Sequence, residues 1–260
     1  MTLFRHEVRQ GRLSLVIWAL TIGGLMAACV FLFPEMKGEM GQGGEMFASM
    51  GALTAAFGLD RLNYGTFPGY YAIECGNILG LGGAMFATMA ASATLAKEEK
   101  VGTAEFLLTH PVSRAQVVTE KLLAVLVQIL VLNLTVLVIA ALSALAIGED
   151  IPWGELGKLH LAYLFLQIEL AGVCFGLSAF LRRGSMGAGL GIAAGAYFLD
   201  LIANLSEKAE WLHYVTPFGY TAGGDILSEG LNWSLMALGI LWFGVGIVTA
   251  YGWYLRKSIH

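Results

Sequence analysis

Six apolar runs, each long enough to cross a lipid hydrocarbon core, constrain this 260-residue chain more than any other feature. They cover about 13–33, 72–96, 122–147, 158–181, 185–205 and 232–255, and a helical crossing takes roughly 20 residues. Inside a bilayer every backbone N–H and C=O needs a partner within the protein, so these runs are predicted to be helices. Composition agrees: 57% of the residues are apolar and 13% charged, against about 25% charged in a soluble domain. The first run exceeds a signal-peptide core and no small-residue cleavage site follows it, so it is expected to be a retained span. A net charge of −4 points to no nucleic-acid partner.

Lys and Arg in the flanks set the orientation. Arg5, Arg9, Arg12, Lys97, Lys100, Arg114, Lys121, Arg182, Arg183, Arg256 and Lys257 fall on one side. Lys37, Arg61, Lys158 and Lys208 fall on the other. Eleven against four places both termini and the 97–121 loop in the cytoplasm. The opening "LFRHEVRQGR" reads either as a short helix lying in the interface, its arginines toward anionic headgroups, or as a positive tail that sets topology.

Two connectors on the other side are unusual. Residues 34–71 are rich in Gly and Met, and "MFASMGALTAAFGL" (46–59) is apolar but too short to span, which suits an interfacial or covering segment. Residues 206–231 mix Trp211, Tyr214, Phe218 and Tyr220 with Pro217 and glycines. Such aromatics anchor at headgroup level, and a broken backbone can dip into the membrane where protein covers it.

Chemistry-bearing residues are few. Met36, Met40, Met46 and Met50 supply soft thioethers suited to Cu(I), but no His or Cys joins them in that loop, so they read as flexible filler and no metal site is assigned. Cys29, Cys75 and Cys174 are odd in number and lack metal-ligand spacing, which leaves them as small packing residues. Glu169, with Gln167 close by, lies inside the fourth run, where a carboxylate marks a site by default. It either lines a translocation route, or is a neutral acid bonded to a neighbouring helix, for instance at Gln128 or Asn133 of the third run. Asp200 and Asn204, four apart, share a face near the end of the fifth run.

Gly187, Gly191 and Gly195 form a repeated GxxxG pattern, with single ones at Gly172/Gly176 and Gly76/Gly80, which lets helix backbones approach closely. "GLGIAA" (189–194) matches a permissive dinucleotide fingerprint, but no strand precedes it, so helix packing is the expected role. The sequence has no phosphate loop, no HExxH and no G-x-S-x-G, so no catalytic residue and no bound cofactor are expected.

"KEEKVGTAEFLLTHPVSRAQVVTEK" (97–121) is the one long charged stretch between apolar runs. Ala104, Leu107 and Leu108 make a short helical stripe, and His110-Pro111 ends it. Ser113 stands three residues before Gln116 in a capping-box pattern, opening a helix that continues into the third run. Physically this is either a docking element held on two spans or a solvated connector.

The stretch resembles the signature loop of ABC-2 type ABC transporter permeases, in which an acidic residue precedes a G-T-x-E-x-L-L-x-x-P-V-S-R string. Glu98 or Glu99, Gly102, Thr103, Glu105, Leu107, Leu108, Pro111, Val112, Ser113 and Arg114 carry the match, while Ala104 stands where Leu is common. "WLHYVTPFGY" (211–220), with Pro217 and Phe218, is similar to the family's segment before the last span. The resemblance implies an all-α polytopic membrane protein in which 1–260 form a single permease domain. It would have six spans, an N-terminal interfacial helix, a coupling helix in the 97–121 loop and a re-entrant segment before the sixth span.

It further implies that Ala104, Phe106, Leu107 and Leu108 form an apolar knob for the cleft of a separate ABC ATP-binding subunit. Glu98, Glu99, Glu105 and Arg114 would then make polar contacts or brace the loop. Two permease chains and two ATPase chains are expected, with ATP and Mg on the ATPase, in a bacterial inner membrane. The expected function is ATP-driven export of a hydrophobic or amphipathic peptide, drug or lipid-like substrate. The alternatives are a proton-coupled secondary transporter or channel built on Glu169, perhaps with Asp200, and a membrane-embedded sensor or scaffold that only recruits a partner.

Overall fold

The computed structural model describes residues 2–49, 62–63, 65–97, 113–181 and 186–256, with side chains omitted for 38–49 and 207. Among them the secondary structure is entirely helical, and six helices are long and apolar enough to cross a membrane. These are α1 (Thr2–Ser49), α2 (Phe67–Ser92), α3 (Arg114–Ala146), α4 (Trp153–Phe180), α5 (Met186–Leu205) and α7 (Trp233–Tyr254). Between α5 and α7 the chain forms two 3₁₀ helices, Glu207–Tyr214 and Pro217–Tyr220, and a short α6 (Gly223–Ser228). The end where α1 begins and α3 starts is called the base, and the opposite end the far end.

Two expectations change at α1. The basic segment is not a separate interfacial helix: the helix runs unbroken from Thr2, so Arg5, Arg9 and Arg12 occupy its first turns. They stand exposed and continue into the exposed Leu13, Val16, Ile17 and Leu20. Nor does the first connector begin at residue 34, because Pro34 lies inside the helix. A helical proline forfeits one backbone bond and crowds the preceding turn. Here the preceding residue, Phe33, is fully buried against Phe67 and Tyr70 at ring distances of 5.4 and 5.3 Å, which holds the helix past the fault. Of the 46–59 segment, residues 50–59 lie outside the described residues.

The α2 helix starts earlier than expected, at Thr66-Phe67-Pro68, where the Thr66 hydroxyl accepts from Gly69 N and the proline takes the first turn. At its centre Gly76–Leu81 widen into a π turn. The start of α3 matches the sequence reading: Ser113 is extended and its hydroxyl accepts from Gln116 N at 3.1 Å. Only half of the capping box forms, since the Gln116 amide donates to Glu120 at 2.8 Å.

The centre of the bundle is α4, whose apolar window is 67% buried, while those of α5 and α7 are 17% and 22% buried. Close packing of α4 depends on glycines. A Cβ at Gly176 would stand 2.6 Å from the Gly246 carbonyl oxygen of α7, and one at Gly172 would stand 2.8 Å from Phe243 Cα. On the other side of α4, Tyr163 fills the space above Gly76 and Gly80 of α2, where added Cβ atoms would meet it at 2.9 and 3.0 Å. The expected small-residue packing at 172/176 and 76/80 is therefore internal to the bundle. Gly189 lies against the Thr88 carbonyl of α2, while Gly191 and Gly195 face open space. The outward faces of α1, α3, α5 and α7 carry Leu20, Leu134, Val138, Phe198, Val245 and Val248 exposed, as lipid contact requires.

Replacing Gly176 with Val should force α4 and α7 apart and cost about 1–3 kcal/mol, read as a lowered thermal midpoint in detergent. Gly24→Val, on the exposed face of α1 where nothing stands within 4 Å, should leave that midpoint unchanged.

Candidate coupling base and buried polar sites

At the base, charges from three helix ends converge. Lys121 of α3 is fully buried, and its Nζ donates to Glu7 Oε1 at 3.0 Å and to the Thr94 carbonyl at 2.8 Å. Lys97, just past α2, donates to Glu7 Oε2 at 3.0 Å and to Gln10. One carboxylate on α1 thus holds two ammonium groups, and removing one partner of such a buried pair typically costs about 3–5 kcal/mol. Next to it, Glu120 Oε2 accepts from Phe4 N at 2.9 Å, placing an acid on the exposed amides that open α1. Arg114 Nη1 donates to the carbonyls of Tyr254 and Leu255 at 3.4 Å, placing a cation on the end of α7. Thr119 and Tyr251 join hydroxyls at 2.6 Å between the same helices.

Of the residues expected to dock a partner, Ser113 and Arg114 are described, as the cap and first residue of α3. Glu98, Glu99, Gly102, Thr103, Ala104, Glu105, Phe106, Leu107, Leu108, Pro111 and Val112 lie outside the described residues.

Within the bundle, Glu169 is buried, but its partner is not the one expected. Tyr220, from the Pro217–Tyr220 turn, donates its hydroxyl to Glu169 Oε2 at 2.9 Å. Asn133 instead donates to Gln167 Oε1 at 2.7 Å, and Gln128 turns back to its own helix at the Ala124 carbonyl. Alternation explains the difference: 167 and 169 are about 200° apart on a helix, so one faces α3 and the other the broken segment. Gln167 also reaches the Leu79 carbonyl in the π turn at 3.5 Å.

The broken segment is fixed deep in the bundle. Tyr163 donates to the Thr221 carbonyl at 2.9 Å and Thr216 to the Ala196 carbonyl at 2.8 Å. Tyr163 and Glu169 lie about 15 and 24 Å along α4 from Trp153, so Thr216–Thr221 reaches well down the helix. Pro217 and Phe218 are buried, and Phe218 packs edge-on against Tyr197 at 5.3 Å.

Above this segment is a cavity of about 550 Å³ lined by Asn77, Tyr163, Asp200, Asn204, His213 and Phe218 among others. Asp200 accepts from Asn204 at 3.5 Å and stands 3.2 Å from His213 Nδ1. That hydrogen bond to Asp200 raises the His213 pKa, with the nearby carboxylates of Glu210 and Asp225 acting in the same direction against desolvation. Glu169 is not among the lining residues, so the structure does not bring Glu169 and Asp200 into one site. Met36 packs at the edge of the core, and no group of three His, Cys, Asp or Glu able to hold a metal occurs among the described residues. Cys29 donates its thiol to Glu74 at 3.4 Å, while Cys75 and Cys174 are buried and free.

A family profile described as ABC-2 family transporter protein matches residues 1–259. The chain belongs to the ABC-2 transporter family. This ABC-2 protein is therefore a multi-pass membrane component of a transporter. It is also 25% identical, over 215 residues, to the uncharacterized protein YhcI of Bacillus subtilis (strain 168), covering 73% of this chain and 68% of YhcI.

Sequence reasoning missed Glu7, Glu74 and Tyr163 in this ABC-2 chain, and read Tyr220 as a headgroup-level aromatic rather than as the partner of Glu169. For Glu7 a signal existed: it is helically opposed to Arg5 and Arg9 and shares a face with Leu3 and Gly11, four residues away on each side. Tyr220 carried no such signal, because partners across irregular backbone have no period.

Tyr220→Phe should leave the Glu169 oxygen unpaired and cost about 1–3 kcal/mol, lowering the thermal midpoint in detergent, whereas Tyr214→Phe, exposed, should not. Because the His213 pKa is raised on folding, the stability it adds is full below about pH 6.5 and is lost as pH rises through the folded value. The midpoint should fall across that window, and His213→Gln should flatten the dependence.

Proposed function

We infer that this ABC-2 protein is the permease subunit of a bacterial ATP-driven exporter, residues 1–260 forming one transmembrane domain. Family membership over residues 1–259 carries this reading. Both termini and the base face the cytoplasm, and the 98–112 loop docks in a cleft of a separate ABC ATP-binding subunit, which holds ATP and Mg. Glu98, Glu99, Gly102, Thr103, Glu105, Pro111, Val112, Ser113 and Arg114 shape and brace that loop, with Ala104, Phe106, Leu107 and Leu108 as its apolar knob. The eleven-to-four excess of basic residues supports the orientation. Two permease chains work with two ATPase chains. The open glycine face of α5 at Gly191 and Gly195 favours a second chain there.

The substrate is hydrophobic or amphipathic, of peptide, drug or lipid-like class. It leaves under the Thr216–Thr221 segment, whose hydrogen bonds to α4 and α5 suit a lid. Glu169 then holds the lid through Tyr220 rather than carrying protons.

Glu105→Lys should abolish co-purification of a phosphate-loop ATPase and its coupled ATP turnover. If both persist unchanged, the docking role is wrong. Vesicles containing the chain alone should show no gradient-driven flux of a fluorescent amphiphile. Flux without ATP that is lost in Glu169→Gln would establish the proton-coupled alternative.

A further inference from the structure

The 98–112 loop leaves the described structure next to Lys97 and re-enters it at Ser113, about two turns before Glu120 and Lys121. Both of its stems are therefore tied to a single side chain on a third helix. Glu7 gives one oxygen to Lys97 and the other to Lys121, each at 3.0 Å. The Glu7 and Lys121 side chains are almost wholly removed from solvent, 8% and 0% exposed, and Lys121 also bridges to Thr94 at the end of the α2 stem. Salt does not screen such a contact as it screens a surface pair. The two bonds use both oxygens of one planar group, so the stems cannot move apart without breaking one, nor together without carrying α1 along.

The α1 backbone is bound to the same place a second time, through Phe4 N and Glu120. The arginines of α1 occupy its other face, exposed, so Glu7 is the acidic side chain that these first turns direct into the bundle.

We propose that Glu7 is a positioning residue for energy coupling: it joins the two loop stems to α1 as one rigid unit, so that force applied to the loop moves α1 together with α2 and α3. The proposal rests on the reading that the loop docks an ATPase, but it names a force-bearing contact outside the loop itself. Without Glu7 the partner would still bind and hydrolyse ATP, while α1 would no longer follow the stems.

The test uses the full chain, with Cys29, Cys75 and Cys174 replaced, in complex with the phosphate-loop ATPase that co-purifies with it. Spin labels at Arg9 on α1 and Leu123 on α3, both outside the clamp, report whether the two helices move together. The wild-type separation should be narrow and the same in nucleotide-free and vanadate-trapped complexes. In Glu7→Gln, which keeps the shape and removes the charge, ATP turnover should stay within about twofold while the separation broadens and shifts on trapping. Energy transfer, read as ATP-dependent thiol labelling of a far-end cysteine at Asn77, should drop about tenfold. Glu7→Asp should recover part of it.

A narrow, state-independent separation in Glu7→Gln overturns the proposal, as does turnover falling in step with labelling. Should Glu7→Gln fail to assemble, Lys97→Gln removes one arm only, and the same label pair in the chain alone must broaden; an unchanged width overturns the proposal there too. A wild-type complex that neither binds an ATPase nor responds to ATP overturns the exporter reading instead, and the chain-alone distances still decide the clamp.

Discussion

Everything else in this bundle depends on α4 being enclosed by protein while carrying polar side chains in a lipid setting. A polar group facing hydrocarbon would cost several kcal/mol, so Gln167, Glu169 and Tyr163 each need a partner supplied from another element. Gln167 finds Asn133 and the π turn of α2; Glu169 finds Tyr220; Tyr163 finds the Thr221 carbonyl. These demands fix which faces of α2, α3 and the broken segment meet α4. Glycines make the approach possible, at Gly76 and Gly80 on one side and at Gly172, Gly176 and Gly246 on the other. Dispersion and these hydrogen bonds hold the helices, because lipid tails provide no hydrophobic drive for them to associate.

The two ends of the molecule use different chemistry. At the base the contacts are ionic and join helix ends: Glu7 to Lys97 and Lys121, Glu120 to the start of α1, Arg114 to the end of α7. At the far end a partly exposed ion pair, Lys37 to Glu149 at 2.9 Å, accompanies neutral or weakly charged hydrogen bonds that join an irregular segment to helix walls. A base of strong, few bonds moves as a block, whereas a far-end segment held by separate single hydrogen bonds can be released stepwise. That asymmetry suits the proposed coupling, in which force enters at the stiff base and cargo leaves past the separable cover.

The six spans were legible because lipid imposes a length and an apolarity that no other fold class shares, and the Ser113 cap because its spacing to Gln116 is local. Boundaries were less so. Thr66-Phe67-Pro68 is a helix start written in the sequence, but it lies ahead of the continuous apolar run that marks the span, and Pro34 reads as a stop until Phe33 is seen packed on Phe67 and Tyr70. Glu169 stood out as an intramembrane acid, yet its partner lay 51 residues away on a 3₁₀ turn, beyond any periodic rule. Glu7 was hidden by its neighbours: among Arg5, Arg9 and Arg12 it looked like part of a positive tail, although helical phase sets it on the opposite face.

The central claim is that events at the base open or close the far end. A single cysteine at Asn77, which lines the far-end cavity, measures this directly through its rate of reaction with a membrane-impermeant thiol reagent in the reconstituted complex. The account predicts a rate that changes when the ATPase is trapped with ATP and vanadate and returns when nucleotide is removed. A rate indifferent to the nucleotide state would contradict it.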